Sequence, residues 1–222
     1  MQGSRILWFS LATAAVLLGV LAICGRGRAD MFDMTGVDPW DRCGDCHGLD
    51  GAGNRIKFPR LGGQKQSYII KELYDFRAGR RKNDDGQMQQ NANEIAAADI
   101  GRVADWFASQ TPSWPKITID AEPDIPLARK LAMSGVRGIP ACLSCHSVAA
   151  LGMLDEPFDA PRIAGQHDYY IAKELTDFRD GRRSNDPKQM MQKIAKRLTN
   201  DEIVSLSIFL SQNPGLHDLV VP

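Results

Sequence analysis

The sequence predicts an all-α protein made of one small domain written twice, preceded by a separate apolar segment. Three observations predict it. The pentapeptide Cys-x-x-Cys-His occurs at 43–47 and again at 142–146. Sliding the chain by 102 residues aligns 64–84 with 166–186, with 14 of 21 positions identical. Apolar residues in each copy recur at helical spacing, and no stretch sustains the period-2 alternation of a strand.

Composition narrows the function classes. The 27 basic and 27 acidic side chains cancel across 222 residues, so the chain lacks the positive footprint of a nucleic-acid binder. Aromatic residues make up only 7 %, thin for two self-sufficient cores. Domains below ~100 residues are marginal unless a staple or cofactor adds buried apolar surface.

The first element is apolar. Residues 6–23 run apolar except for Ser10, Thr13 and Gly19, with Arg5 in front. A signal-peptide core usually stops at ~7–15 residues, whereas a spanning helix needs ~17–25. Arg26 and Arg28 stand where a signal peptidase prefers small neutral residues. Residues 1–29 therefore read as an uncleaved transmembrane signal anchor, with cleavage after Ala29 as the alternative. Cys24, the fifth cysteine, reads as a small apolar residue at the end of that helix.

Next come the two pentapeptides. Cys-x-x-C-H marks covalent haem attachment: two thiols take the porphyrin vinyl groups, and the following histidine is held beneath the iron. The expected cofactors are two covalent haem c groups, on Cys43 and Cys46 and on Cys142 and Cys145, with His47 and His146 as axial ligands. An all-thiolate zinc site or redox dithiols could also use four such cysteines, but neither needs the histidines.

Each copy then reads as helices. Ile69, Leu73 and Phe76 share one helical face, as do Ile171, Leu175 and Phe178, with Gly79 and Gly181 as C-terminal caps. Ile100, Val103, Ala104 and Phe107 form the closing helix of the first copy, and Ile203, Leu206 and Leu210 that of the second. Residues 199–202 open the latter as a capping box. The proline-rich stretch 111–126 marks a linker between domains at 30–110 and 127–222. After it, Leu127, Ala128, Leu131 and Ala132 begin a small-faced helix that the first copy lacks.

The 102-residue offset also places Pro59 and Arg60 on Pro161 and Arg162, Met88 on Met190, and Phe107 on Phe209. Met88 and Met190 are thereby the expected sixth ligands, with Met191 a near rival. Pro59 and Pro161 offer carbonyls to the ligating histidines, which normally donate their free ring N–H. Arg60 and Arg162, with the pairs Arg80-Arg81 and Arg182-Arg183, are candidates for the haem propionates or else a solvated basic face. His167 and His217 have no counterparts in the first copy and are expected at the surface.

These motifs, the Pro-Arg-(Leu/Ile)-(Gly/Ala)-Gly-Gln runs and the Asp-Phe-Arg-x-Gly-Arg-Arg helix together resemble dihaem cytochromes of the cytochrome c4 type. The resemblance implies two tandem cytochrome c domains around covalent haems, related by a pseudo-twofold. It also implies electron transport between respiratory complexes, from a cytochrome bc1-type donor to a haem-copper oxidase, or from a periplasmic dehydrogenase. The expected place is the periplasmic side of the bacterial cytoplasmic membrane, held there by the N-terminal helix or soluble after cleavage. With both irons filled by His and Met, no catalytic residue is expected, and a dihaem peroxidase or thiosulfate-oxidising enzyme is the alternative.

Overall fold

The apolar spacing of each copy becomes a short bundle of helices. The computed structural model describes residues 36–111, 125–147 and 160–218. The first copy contains α1 (Asp41–His47), α2 (Gln66–Arg77), α3 (Gln87–Glu94) and α4 (Ile100–Ser109). The second contains α5 (Ile125–Met133), α6 (Leu143–His146), α7 (Asp168–Arg179), α8 (Met190–Ala195) and α9 (Asn200–Gln212). Among the described residues there is no strand, only the isolated bridges Asn54–Phe58 and Val136–Ile139. Ile125 and Pro126 of the expected linker already belong to α5, and 112–124 lie outside the described residues with the segment 148–159. So does the whole segment 1–29; among the described residues, no helix is long and apolar enough to cross a membrane.

The two cores have the composition that the spacing gave. In the first, α2 packs on α3 and α4 and buries Ile69, Leu73 and Phe76 against Ala92, Val103 and Phe107. In the second, α7 packs on α8 and α9, and α9 also packs on α5. Ala128 and Ala132 are fully buried there, because a methyl side chain lets α5 approach α9 closely. Thr199 and Glu202 close the expected capping box at the start of α9. Gly79 and Gly181 take φ of +65° and +77° at the ends of α2 and α7, where a side chain would be strained.

The described residues of the first copy set a pair of aromatic rings beside α4. Trp40 stacks on Trp106 with centroids 4.5 Å apart, and Arg102 lies over Trp40 at 5.6 Å. In the second copy Phe209 occupies the place of Trp106 and is buried beneath α5, with Arg129 over its ring.

That pairing exposes a slip in the repeat. Gly63 N–H donates to Phe107 O at 3.0 Å, and Gly165 N–H to Leu210 O at 2.8 Å. The glycines are 102 apart, but their acceptors are 103 apart. The buried pairs Ala92 and Ala195, Ile95 and Leu198, and Ile100 and Ile203 are also 103 apart. Phe107 therefore corresponds to Leu210, not Phe209. The extra residue is Pro187: Asp85 and Gly86 (φ +57° and +81°) enter α3, whereas Lys188 and Gln189 (φ +55° and +56°) enter α8 one position later.

Candidate haem site

The histidine of each pentapeptide ends a short helix and turns inward. His47 and His146 are both buried, and Nδ1 lies 2.9 Å from Pro59 O in one copy and 2.8 Å from Pro161 O in the other. Burial pushes both imidazoles below their ordinary pKa, and the proline carbonyls pull partway back. A neutral ring that gives its Nδ1 proton to a carbonyl keeps the Nε2 lone pair for a metal. His47 Nε2 is buried without a hydrogen-bond partner, the state expected of an atom whose partner is an iron.

Both histidines line one continuous cavity of about 590 Å³. Its wall includes Cys43, Cys46 and Met88 from the first copy and Cys142 and Met191 from the second. Burial pushes the Cys43 and Cys142 thiols up to about 11. The four motif cysteines are free, and no cluster of three or more His, Cys, Asp or Glu gathers among the described residues. The residues present thus fit two covalent porphyrins better than a zinc site.

Met191, not Met190, stands where Met88 stands. Met88 lies one turn before Ala92 on α3, and Met191 one turn before Ala195 on α8. Met88 and Met191 line the large cavity, whereas Met190 reaches only a small side pocket beside Cys142, Cys145 and His146, which Met191 also lines. The expected equivalence of Met88 and Met190 is corrected by the Pro187 insertion. Asp84 and Asp186 differ in what they hold: Asp84 Oδ2 accepts from Met88 N–H, while Asp186 Oδ2 accepts from Gln192 N–H at 3.1 Å, one residue beyond Met191.

Arg60 and Arg162 line the cavity, as a propionate-binding role requires. Arg162 donates through Nη1 to Gly63 O at 2.5 Å, and its buried Nε has no partner. The arginine pairs behave otherwise. Arg81 and Arg183 are buried, although they line the cavity, and each grips carboxylates of both copies. Each also reaches a tyrosine of the other copy, Arg81 to Tyr170 at 2.8 Å and Arg183 to Tyr68 at 3.0 Å. They are not a solvated basic face. Arg80 and Arg182 point outward and bond Asp75 and Asp177.

Two features escaped the sequence. His167 is buried rather than at the surface, its Nε2 lying 2.9 Å from Ala52 O of the first copy; the side chain of His217 lies outside the described residues. Gln64 and Gln166 each bind the backbone of the arginine in the opposite copy. Gln166 accepts from Arg60 N–H and donates to Arg60 O, both at 2.9 Å. Gln64 does the same to Arg162, again at 2.9 Å for both.

No protein-family model matches the chain. Cytochrome c4 of Pseudomonas aeruginosa is 36 % identical over 206 residues, spanning 90 % of this chain and 96 % of that protein. The chain belongs to the cytochrome c4 family. Among solved structures, reduced cytochrome c4 from Pseudomonas stutzeri matches with a TM-score of 0.64 and 33 % identity, over 78 % of this chain and 93 % of that one. Membership in the cytochrome c4 family accounts for the doubled pentapeptide and makes covalent haem c its cofactor. A protein named thiosulfate dehydrogenase electron acceptor, from Stutzerimonas stutzeri, is 32 % identical over 209 residues, 92 % of this chain and 94 % of that one.

Proposed function

We propose that the chain carries two haem c groups and passes electrons one at a time, without chemistry of its own. The observation that carries this reading is the repeated donor set on one cavity, lined by His47 and Met88 of the first copy and by His146 and Met191 of the second. Haem c bound there supplies an Fe(III)/Fe(II) couple, and His/Met ligation raises its potential. The chain's own groups do the rest. Cys43, Cys46, Cys142 and Cys145 anchor the porphyrins, Pro59 and Pro161 orient the histidines, and Arg60 and Arg162 offset propionate charge. A histidine and a methionine held by each haem would leave no open site for substrate.

The electron donor best supported is a periplasmic dehydrogenase, because a relative covering nearly the whole chain is named as the electron acceptor of thiosulfate dehydrogenase. A cytochrome bc1-type donor and a haem-copper oxidase acceptor are the broader respiratory reading. The segment 6–23 is proposed as a tether to the periplasmic face of the cytoplasmic membrane, which raises the carrier's effective concentration near such complexes.

The test supplies the purified holoprotein with reduced thiosulfate dehydrogenase, with a terminal oxidase, and with thiosulfate or peroxide alone. Reduction by the dehydrogenase and reoxidation by the oxidase are expected. Turnover of thiosulfate or peroxide by the protein alone, abolished by removing one axial methionine, would make it an enzyme.

A further inference from the structure

The two crossed glutamines act on more than the interface. The Pro59–Arg60 peptide group has two ends. Its carbonyl, Pro59 O, takes the hydrogen bond of His47 Nδ1, and its N–H, on Arg60, donates to Gln166 Oε1 of the second copy. The mirror arrangement holds at Pro161–Arg162, whose carbonyl faces His146 Nδ1 and whose N–H donates to Gln64 Oε1 of the first copy. Each histidine is therefore joined, through one peptide unit, to a side chain of the opposite copy.

We propose that Gln64 and Gln166 are positioning residues that tune the haem of the opposite copy through the peptide bond. An amide whose N–H is engaged becomes a stronger acceptor at its carbonyl, because hydrogen bonds in a chain polarise one another. A stronger pull on His47 Nδ1–H makes the ring a better donor to iron, which favours the ferric state. Both glutamines are buried, so water does not screen the effect. Their orientation is self-consistent. Gln166 Oε1 also accepts from His167 N–H and Gln64 Oε1 from Lys65 N–H, each at 2.9 Å, while both Nε2 groups face the arginine carbonyls. The glutamine that ends each Pro-Arg-(Leu/Ile)-(Gly/Ala)-Gly-Gln run thus acts, from its own half, on a ligand that belongs to the other half.

The inference rests on His47 and His146 being haem ligands, and its test separates the two. Gln166→Met and Gln64→Met keep side-chain length and remove the acceptor. In each, both haems are followed by redox titration, and the two His Nδ1–H resonances are followed by NMR of the reduced holoprotein. Gln166→Met is expected to favour reduction of the His47 haem by roughly two- to fivefold in its equilibrium constant and to move the His47 Nδ1–H resonance, with His146 nearly unchanged. Gln64→Met is expected to do the reverse. Either variant alone carries the test if the other fails to fold. Equal effects on both haems, an effect confined to the variant's own copy, or no effect would overturn the proposal. Parent protein without histidine-ligated haem would overturn the functional reading instead.

Discussion

Arg81 and Glu174 come from different copies of the repeat and meet as a buried ion pair, with Nη2 3.0 Å from Oε1. Its pseudo-twofold mate joins Arg183 to Glu72 at 3.2 Å, and each arginine also binds the glutamate of its own copy at 2.7 Å. Two cations and two anions thus close a neutral ring across the interface. Burial alone would raise both glutamates. The arginines and the neighbouring lysine overcome it, holding Glu174 at about 2 and Glu72 lower still.

Breaking the ring on one side leaves an uncompensated buried charge. Glu174→Gln is expected to cost roughly 3–5 kcal/mol at pH 7, read by urea or thermal unfolding of the holoprotein. Because the folded carboxyl lies below its ordinary value of 4.5, the ring's contribution is present above about pH 4.5 and is lost as pH falls towards 2. The gap between parent and variant should narrow over that window. A gap that stays constant to pH 2.5 would show that the glutamates do not carry it.

The second-copy methionine is a prediction about register. Met191→Ala is expected to abolish the long-wavelength sulfur-to-iron band of one haem, while Met190→Ala leaves both bands. The reverse outcome would restore the 102-residue register and remove Pro187 as the inserted residue.

Asp84 differs from Asp186 because of that insertion. Its carboxylate holds the N–H of Met88 itself, whereas Asp186 holds the residue after Met191. A hydrogen bond to a charged group is worth roughly 1.5–3 kcal/mol. Asp84→Ala should therefore bleach the first haem's methionine band at a clearly lower temperature, with Asp186→Ala having the smaller effect on the second. Equal loss in both variants would contradict this.

Much of the site was legible in the chain. The pentapeptides located His47 and His146, and the shared Pro-Arg run located the carbonyls that orient them, because both depend on short fixed spacings. The register beyond Asp186 was not legible. Gln-Met follows the aligned block at the 102 offset in both copies, and that chance match hid Pro187. Helix burial at Ala92 and Ala195 shows the true phase. His167, Arg81, Arg183 and the two glutamines escaped for another reason: their partners lie about a hundred residues away, and no local periodicity reports a contact between copies.

The central claim is that each pentapeptide holds its own haem. Digestion of the native holoprotein followed by mass spectrometry of the peptides containing 43–47 and 142–146 tests it most directly. Each peptide is expected to carry one haem through two thioether bonds. A haem on one peptide only, or free thiols or zinc on either, would contradict the account.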